Sequence, residues 1–504
     1  MLAPQTAAAG CGILPAGDNA RAFSLAIDLP ARTSRGLLRA LHEQLRSAIL
    51  DGRLAAGLQL PSTRALCLQL RISRNTVVTT YDLLLSEGYL VARPGAGTFV
   101  APIARRPRPV QGPRGADSRL TARWRDAAPI PPPVRHRDLH DFRLGVPDTR
   151  HFPYDTWRRL LNRSLRELAR APAAYEHPAG LEALRSAIAG HISFARAVAC
   201  TADDIVVTAG AQGAFDLLAR VLITPGKTVV AVEDPGYPYA RNTFAAAGAL
   251  VRPVPVDDEG LIVEALPTEA RVVYVTPSHQ FPLGVPMSPA RRAALLRFAA
   301  QHDAVIIEDD YDGEFRYEGR PLDALQTLDD RGCVFYVGTF SKSLFPALRQ
   351  GFLVAPPWAT DALMRARQIA GLHGPWLEQR ALSLFISEGH LARCVRRMRR
   401  IYDGKRRRLT ASIERHCAGQ LTLLPTYAGL HLAALLPGGC DADAVVRAAA
   451  RRGIALESLT RYSSTQAASA GLVFGYGLLR EEHSDEIARS LSAAISQAGS
   501  DTSN

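Results

Sequence analysis

The segment Thr339–Phe352 reads TFSKSLFPALRQGF and places Lys342 between two serines. Lysine is rare in this chain, since only three of its 60 Lys and Arg residues are lysines. Lys342 follows the apolar run CVFYVGTF, which predicts a buried β-strand, and it precedes a helical pattern. Because ligands of open α/β sheets bind at the carboxyl ends of the strands, we expect the Lys342 amine to take part in chemistry there.

The other two lysines stand in different settings. Lys227 lies in the Pro-Gly turn of TPGKTVV, where we expect it to be solvated. Lys405 lies in GKRRRL, which we interpret as a basic helix face. Lys342 is therefore the lysine that the sequence predicts at a strand end.

Residues 141–504 alternate short apolar runs with longer helical patterns. The runs DIVVTAG, TVVAVEDPGY, ARVVYVTPS and AVIIEDDYD are rich in Val and Ile, as strands of a doubly covered parallel sheet are. Helical segments between these runs would cover both faces of the sheet. We therefore predict an α/β fold for this part of the chain.

Residues at the predicted strand ends match the needs of pyridoxal 5'-phosphate. That cofactor needs a lysine for an imine, an acid beside the pyridine nitrogen, a phosphate cradle and a flat group over its ring. Asp309 ends the run AVIIEDD and would keep the ring nitrogen protonated, Tyr311 would donate to the ring hydroxyl, and Tyr237 in EDPGYPY would stack on the ring. Two alternatives stay open, because EDDYDGE also fits an acidic surface loop or a divalent-metal site, and Tyr237 also fits a turn aromatic.

A phosphate cradle is predicted beside Lys342. The segment TAGAQGAFD places Gly210, Ala211 and Gln212 at the start of a helix that follows a strand, where free N–H groups attract anions. Thr339 and Arg349 flank the lysine closely enough to add a hydroxyl and a guanidinium to that cradle.

Residues 34–102 show a different order of elements. Three short helical patterns, SRGLLRALHEQLRSAIL, LPSTRALCLQL and SRNTVVTTYDLLLSEGYL, precede the strand–turn–strand pattern LVARPGAGTFV. This order is typical of a winged helix-turn-helix domain. In the third helix we expect Val78, Tyr81 and Leu85 to face inward.

The start of the third helix is the candidate DNA contact. Helix N-termini favour phosphate, and short polar side chains with an arginine there can reach a major groove. The glycine-containing turn would form a wing for the minor groove or the DNA backbone. Taken singly, Ser73 also fits a mere helix cap and Arg74 a solvated charge. The candidate DNA-binding residues are Arg64, Ser73, Arg74, Thr76, Arg93 and Gly95.

The net charge of +12 is concentrated toward the N-terminus. Residues 1–102 carry a net charge of +4, residues 103–140 carry +6, and the remaining residues carry +2. This asymmetry favours a polyanionic partner for the N-terminal part. Residues 103–140 are rich in Pro and Arg, which predicts a semi-extended linker that acts as a spacer or adds salt-sensitive DNA affinity.

Other features restrict the class of protein. Residues 1–33 lack the basic start of a secretory signal, and we expect them to form a flexible extension. No window reaches the 18 or more apolar residues of a membrane helix. The seven cysteines are far apart and show no CxxC spacing, which suits reduced thiols in the cytoplasm better than disulfides or zinc. No metal site is predicted.

Two stretches resemble known families. GRLAAGLQLPSTRALCLQLRISRNTVVTTYDLLLSEGYLVARPGAGTFV resembles the DNA-binding domain of GntR-family regulators. VEDPGYPYAR, TPSHQFPLGVPMS, IIEDDYDGEFRY and GTFSKSLFPALRQGFLVAP resemble fold-type I aminotransferases of class I/II. A chain that joins these two parts through a basic linker is similar to the MocR subfamily.

The resemblance implies a fold, a site and partners. The fold would be a winged helix-turn-helix at residues 34–102, a linker at 103–140, and at 141–504 a seven-stranded, mainly parallel sheet with a small α+β subdomain. Lys342 would carry the cofactor as an imine, with the cofactor contacts described above. The family further implies a DNA operator and a homodimer, commonly head-to-tail, in which Tyr175 reaches the partner's phosphate site.

Two departures from the aminotransferase pattern bear on activity. The motif Asn-Pro-x-Gly is replaced by FPLG, so that the asparagine is missing, and His279 or Gln280 would have to substitute for it. In AGLVFGYGLL, Val473, with Leu472 beside it, stands where active relatives have an arginine for the substrate carboxylate. Arg480 or an arginine of another subunit is the candidate replacement.

We therefore predict a regulator, not an enzyme, whose aminotransferase-like domain senses pyridoxal phosphate, an amino compound, or both. The alternative is an active aminotransferase with a DNA-binding appendage. A third hypothesis is that pyridoxal phosphate alone is the effector.

Overall fold

The computed structural model describes residues 25–30, 36–102, 119, 121–125, 140–170, 174–319, 323–425, 427–465 and 470–501. The chain divides into two compact units, Met1–Ala127 and Ala128–Asn504. Most of the predicted extension and linker lies outside the described residues, and the finer domain boundaries stay predictions. No helix among the described residues is long and apolar enough to cross a membrane.

The first unit has the predicted order of three helices and a hairpin. Its elements are α1 (Leu37–Leu50), α2 (Thr63–Leu70), α3 (Arg74–Ser86), β1 (Leu90–Arg93), β2 (Gly97–Val100) and the short α4 (Ala122–Arg125). Strands β1 and β2 pair in antiparallel register, with Leu90 opposite Val100. Ser62 and Ser73 cap α2 and α3, because each hydroxyl accepts from the backbone N–H of the third residue of its helix, Ala65 and Thr76 respectively.

The core of this unit corrects one detail of the prediction. Tyr81 is buried as expected, but the residues that share its face are Val77 and Leu84, while Val78 and Leu85 are only partly buried. Because apolar residues are adjacent in TVVTTYDLLLS, the pattern is compatible with two inward faces of the helix that differ by one residue. Packing against α1 buries the face with Val77, Tyr81 and Leu84. Leu25, Ile27 and Leu29 of the predicted extension also pack on this core.

The second unit contains a large mixed sheet and a smaller antiparallel one. Its strands are β3 (His140–Asp141), β4 (Ile205–Thr208), β5 (Val229–Asp234), β6 (Leu250–Asp257), β7 (Gly260–Leu261), β8 (Ala270–Val275), β9 (Val305–Asp310), β10 (Val334–Thr339), β11 (Gly351–Val354), β12 (Thr422–Leu423), β13 (His431–Leu435), β14 (Ile454–Ala455), β15 (Glu457–Ser458) and β16 (Gly471–Gly475). Its helices are α5 (Tyr154–Leu168), α6 (Glu182–Arg196), α7 (Gly210–Leu222), α8 (Pro238–Ala246), α9 (Pro289–His302), α10 (Thr360–Gly371), α11 (Trp376–Ser387), α12 (His390–His416), α13 (Ala442–Arg451) and α14 (Ser484–Asp501).

The large sheet has the order β4-β11-β10-β9-β8-β5-β6-β7. Strands β10, β9, β8, β5 and β6 pair in parallel, and β11 runs antiparallel to both β10 and β4. The two-residue strand β7 extends this sheet beyond the seven strands predicted. Alternate strand residues enter cores on opposite faces, such as Val206 with α7 and Val207 with α6. Both faces are therefore buried, and the carboxyl ends of β4, β5, β9 and β10 open on one edge.

The small sheet, β12-β13-β16-β15, packs with α12, α13 and α14 around a separate core. The chain segment that precedes α5 joins this part of the fold, because β3 pairs with β14. Phe142 continues the contact, since its carbonyl accepts from the N–H of Gly475. Residues 140–150 thus belong structurally with the small sheet, although they lie far from it in sequence.

Lys405 corrects the interpretation of GKRRRL as a basic face. Its side chain is 3% exposed, and its Nζ donates to Asp148 Oδ2 at 2.9 Å and to the Gly477 carbonyl at 2.5 Å. The backbone N–H of Asp148 also donates to the hydroxyl of Tyr402, one turn away on α12. Burial alone would raise the pKa of Asp148, but hydrogen bonds from Arg150 and Lys405 outweigh it and lower that pKa. This pair fixes residues 140–150 to α12.

Replacing Lys405 by Met should destabilise the protein by about 3 kcal/mol, because the Asp148 carboxylate stays buried after it loses one of its cations. Urea unfolding followed by circular dichroism measures the change. The matched control is Lys227→Met, since Lys227 is exposed and surface exchanges cost about 0.5 kcal/mol or less. The double variant Lys405→Met/Asp148→Asn should recover part of the loss. Equal stability of the two Met variants would contradict a structural role for this ion pair.

Candidate functional site

A cavity of about 980 Å³ opens at the carboxyl edge of the large sheet. The small sheet and residues 143–146 supply its other walls. Most of the predicted cofactor residues line it: Ala211, Gln212, Tyr237, Asp309, Tyr311, Thr339, Lys342 and Arg349. Parallel strands bring these residues together from positions more than 100 apart in the chain, as the strand-end argument predicted.

Lys342 lies three residues beyond β10, and its amine is held by backbone. Its Nζ donates to the Gly145 carbonyl at 2.6 Å. Burial lowers the pKa of Lys342, although the nearby carboxylates of Asp312 and Asp309 oppose the shift. A lowered pKa increases the fraction of uncharged amine, which is the nucleophilic form.

Gly145 is a residue of this site that sequence reasoning missed. Its φ is +69°, and a Cβ there would lie 2.3 Å from the Lys342 Nζ. Glycine is therefore required both by the backbone conformation and by the close approach of the amine. The sequence indicates this role only by the glycine in RLGVPDT, because Gly145 has no side chain that could take part in chemistry.

Asp309 is the next-to-last residue of β9, and one of its carboxylate oxygens is paired while the other is not. The hydroxyl of Tyr274 donates to Asp309 Oδ2 at 2.7 Å, while Oδ1 is buried without a partner. Burial raises the pKa of Asp309 to about 7, against the opposing effect of the Tyr274 hydrogen bond. An unpaired buried acceptor facing a cavity fits a ligand that brings an N–H, as a protonated pyridine ring does.

The start of α7 and Arg349 form a cradle of positive potential. Gly210 begins the helix with φ +70°, and the Arg349 guanidinium lies 3.3 Å from where a Cβ of Gly210 would stand. Arg349 Nη2 also donates to the Ala209 carbonyl at 2.7 Å. Ser341, which sequence reasoning missed, lines the cavity and donates its N–H to the Thr339 hydroxyl oxygen. Helix N–H groups, a guanidinium and hydroxyls together suit a phosphate.

Tyr311 lines the cavity but already has a partner. Its hydroxyl donates to the His279 carbonyl at 2.9 Å and lies 2.9 Å from His279 Nδ1. His279 Nδ1 is also 3.1 Å from Asp312 Oδ2. Contact between Tyr311 and a cofactor hydroxyl stays a prediction, as does stacking by Tyr237.

Phe281 stands where the aminotransferase motif Asn-Pro-x-Gly has its asparagine. Phe281 lines the cavity and packs edge-on against Tyr237 and Tyr311, with ring centroids 5.3 and 5.7 Å apart. The side-chain amide of Gln280, one candidate substitute, already donates hydrogen bonds to the carbonyls of Pro235 and Phe281. Neither His279 nor Gln280 is among the residues that line the cavity.

Val473 and Leu472 are neighbours on β16, and their side chains lie on opposite faces of the small sheet. Val473 is buried with Phe281, Leu459 and Tyr462, next to the cavity, whereas Leu472 belongs to the core of the small sheet. Val473 thus packs on the cavity-lining residues Phe281 and Tyr462 without lining the cavity itself, and it offers no hydrogen bond to an anion. Arg480 is exposed and does not line the cavity.

Tyr175 stands apart from the cavity of its own chain. It is 83% exposed, and its ring lies 6.1 Å from that of His373. Its predicted contact with a second subunit stays a prediction.

The candidate DNA-contacting residues lie on the first unit. The Ser73 hydroxyl accepts from the Thr76 N–H at 3.1 Å and lies 2.7 Å from the Thr76 hydroxyl, so the capping interpretation of Ser73 is confirmed. Arg64 and Arg74 are exposed near the N-termini of α2 and α3. The Arg93 guanidinium lies 4.7 Å from the Phe99 ring centroid, and Gly95 has φ +74° in the turn of the hairpin. Their contact with DNA stays a prediction.

Comparisons with known families match both units. Residues 37–100 match the model of bacterial regulatory proteins of the gntR family, and residues 140–460 match aminotransferase class I and II. The probable rhizopine catabolism regulatory protein MocR of Rhizobium meliloti is 41% identical over 87% of this chain and 89% of its own. The pyridoxine biosynthesis transcriptional regulator PdxR of Corynebacterium glutamicum is 36% identical over 91% and 95%.

The chain belongs to the MocR subfamily of GntR-type transcriptional regulators. Membership confirms the predicted combination of a helix-turn-helix with an aminotransferase-like unit, and the gntR-type domain implies DNA binding.

Solved aminotransferases share the fold of the second unit. Kynurenine aminotransferase from Pyrococcus horikoshii, solved in complex with PMP, matches 71% of this chain and 91% of its own at a TM-score of 0.67 and 27% identity. LysN from Thermus thermophilus, complexed with N-(5'-phosphopyridoxyl)-L-leucine, matches 72% and 94% at a TM-score of 0.66 and 27% identity. The fold-type I architecture predicted for this MocR-type chain is thereby confirmed.

Asp309→Asn should stabilise the cofactor-free protein at alkaline pH. Because the native pKa of Asp309 is raised to about 7 from 3.8, the native state binds more protons than the unfolded state in that window. Its unfolding free energy therefore falls as pH rises from about 4 to 7. The neutral amide removes this penalty, so the gain over wild type should be about 4 kcal/mol at pH 8 and about 2 kcal/mol at pH 5.

Urea unfolding at both pH values measures that gain. The control is Asp258→Asn, which makes the same exchange at an exposed carboxylate. A gain at Asp309 that does not depend on pH would contradict the assignment of a protonated buried carboxyl.

Proposed function

We propose that this MocR-type regulator binds pyridoxal 5'-phosphate at Lys342 and that the occupancy of this cavity controls its binding to operator DNA. The main observation behind the proposal is that two chemically distinct groups lie in the same cavity. These are the backbone-held amine of Lys342 and the unpaired buried oxygen of Asp309. The cofactor-linked names of the relatives and structural neighbours support it.

Each part of the cofactor has a counterpart among the described residues. Bound pyridoxal phosphate supplies an aldehyde for an amine and a ring that withdraws electrons. Lys342 would bind the aldehyde carbon, and Asp309 Oδ1 would hold a proton at the ring nitrogen. The phosphate would lie at the N–H groups of Gly210, Ala211 and Gln212, with Arg349 and Thr339. Tyr237 would stack on the ring, and Tyr311 would contact the ring hydroxyl.

Regulation requires that the cavity's ligand favour one arrangement of the protein. A ligand shifts a two-state equilibrium only by its difference in affinity for the two states, and a shift from 1:99 to 99:1 needs about 5.5 kcal/mol. A cofactor held through Lys342, Asp309 and Arg349 contacts three different strand ends, so its binding energy can be coupled to their relative positions.

Efficient transamination is not part of the proposal. Val473 removes the paired hydrogen bonds that would hold a substrate carboxylate, which costs on the order of 2–4 kcal/mol. Phe281 likewise replaces the asparagine by an apolar ring. The second candidate, an active aminotransferase with a DNA-binding unit, is favoured by the aminotransferase neighbours. Steady turnover of a common amino acid would support it over the first.

The third hypothesis, in which the cofactor alone is the effector, is supported by the similarity to a pyridoxine biosynthesis regulator. DNA binding measured with pyridoxal phosphate alone, and then with added amines, separates this case from an amine-sensing one.

We further propose a cytoplasmic homodimer, with each Tyr175 serving the other subunit's phosphate site. The exposure of Tyr175 and its distance from its own cavity support this arrangement. A DNA operator as partner is the reason for the cytoplasmic assignment.

Lys342→Ala should abolish the visible absorption of pyridoxal phosphate bound to the purified protein and the effect of the cofactor on DNA binding. The amine of Lys342 forms the covalent link, and alanine has none. Lys227→Ala is the control, because it also removes a lysine but from an exposed turn. An unchanged spectrum in Lys342→Ala would reject the assignment.

Ser73→Asp should separate helix capping from phosphate contact. Aspartate caps a helix as well as serine does, so α3 should keep its stability, yet its charge would repel a DNA phosphate. We expect at least tenfold weaker binding to a genomic fragment that the wild type selects, in fluorescence anisotropy. Ser62→Asp makes the same exchange at the cap of α2 and should lose less. Equal affinity of Ser73→Asp and wild type would leave Ser73 only a capping role.

A further inference from the structure

The cavity wall made by the small sheet has an unusual charge pattern. Val473 on β16 lies directly opposite Ala433 on β13 and Glu457 on β15. Directly opposed residues of antiparallel strands place their side chains on the same face. Glu457 is one of the residues that line the cavity. Ala433 and Val473 are fully buried behind this wall, next to the lining residues Phe281 and Tyr462. Where active relatives are implied to carry an arginine, this chain therefore has buried apolar side chains and a carboxylate.

Val473 is sealed by apolar neighbours. It is fully buried against Phe281, Leu459 and Tyr462. A ligand carboxylate placed against the apolar part of this wall, in front of Val473, would lose its hydration without gaining a hydrogen-bond donor from Val473, and the cost of burying such a charge is large. The Glu457 carboxylate would add repulsion of like charge.

Each guanidinium group that lines the cavity has an acidic or carbonyl neighbour. Arg143 binds Asp141 with Nε and Nη2, at 2.8 and 2.6 Å from Oδ2. Arg349 donates to the Ala209 carbonyl in the cradle. Arg461 lies 3.7 Å from Glu457, but its side chain is 61% exposed, against 20% for Glu457. Within the described part of the wall, the carboxylate of Glu457 is thus less hydrated than the nearest cation.

The cavity has room for a second ligand. Pyridoxal phosphate has about 16 non-hydrogen atoms, and it occupies about 480 Å³ even when each atom is given the roughly 30 Å³ of one liquid water. The cavity volume of about 980 Å³ is about twice that upper bound. The small-sheet wall would therefore face a ligand other than the cofactor.

We propose that the small-molecule ligand of this regulator is an organic amine that has no carboxylate. The proposal rests on the proposed function, because it names the ligand class of the same cavity. Glu457 would attract the ammonium group, and the rings of Phe281 and Tyr462, which line the cavity and pack on Val473, would accept a carbon chain or ring. An α-amino acid brings an additional anion, and the lining cations on this side of the cavity already have acidic neighbours: Arg143 is bound to Asp141, and Arg461 lies beside Glu457.

Matched pairs of ligands that differ only by the carboxylate test this proposal. The probes are putrescine with ornithine, cadaverine with lysine, and tyramine with tyrosine. Isothermal titration calorimetry on the full chain loaded with pyridoxal phosphate measures their affinities. We expect each amine to bind at least tenfold more tightly than its amino acid.

Two variants test the residues involved. Val473→Arg should tighten amino-acid binding at least tenfold by restoring a carboxylate donor, whereas Val473→Met, similar in length but neutral, should keep the preference for amines. Glu457→Gln, which keeps the shape of the side chain, should weaken amine binding severalfold without improving amino-acid binding. If Val473→Arg does not fold, the wild-type pairs and Glu457→Gln still decide the question.

Each outcome has a distinct meaning. Amino acids that bind the wild type as tightly as their amines would overturn the inference. Absence of binding by every amine, while the cofactor still binds, would also overturn it but would leave the proposed function standing. Failure of the wild type to bind pyridoxal phosphate at all would instead reject the proposed function.

Discussion

The hydrogen bond from the Lys342 amine to the Gly145 carbonyl is the contact on which the candidate site depends. It joins the end of β10 in the large sheet to residues 140–150, which belong with the small sheet. The buried Lys405–Asp148 pair fixes that same segment to α12. The position of the Lys342 amine is therefore set by the backbone carbonyl of Gly145 and by the segment that Lys405 fixes, not only by neighbouring side chains.

Buried carboxyl groups at the sheet edge have a cost that a ligand can relieve. Burial raises the pKa of Glu233, Glu308 and Asp309 to about 7 in each case. Glu233 and Glu308 accept backbone hydrogen bonds that hold loops, from Thr276 and Leu325 respectively. Asp309 differs because one of its oxygens has no partner. A ligand that brings a cationic N–H would remove the energetic cost of that unpaired oxygen on binding.

Much of this architecture could be predicted from the sequence, and the predictions that were wrong or missing have two physical causes. Lys342 and Asp309 were predictable because a strand's apolar run ends at a definite residue, and parallel strands end on one edge. Gly145 was not, because its role is a backbone carbonyl and the space left by a missing Cβ. Lys405 was misinterpreted because its arginine neighbours indicated a solvated face, whereas its partner Asp148 lies 257 positions earlier. In α3, adjacent apolar residues made two inward faces equally compatible with the pattern. Long-range partners and degenerate patterns are what local sequence does not specify.

The two walls of the cavity come from different sheets, and this division has an evolutionary consequence. The amine, the acid and the anion cradle all stand on the large sheet, whereas Val473, Ala433 and Glu457 stand on the small one. Under the proposed function, point substitutions in three short strands would therefore change which ligand is recognised while the residues proposed to hold the cofactor stay the same. Copies of such a gene would then acquire responses to different ligands without losing the proposed cofactor site.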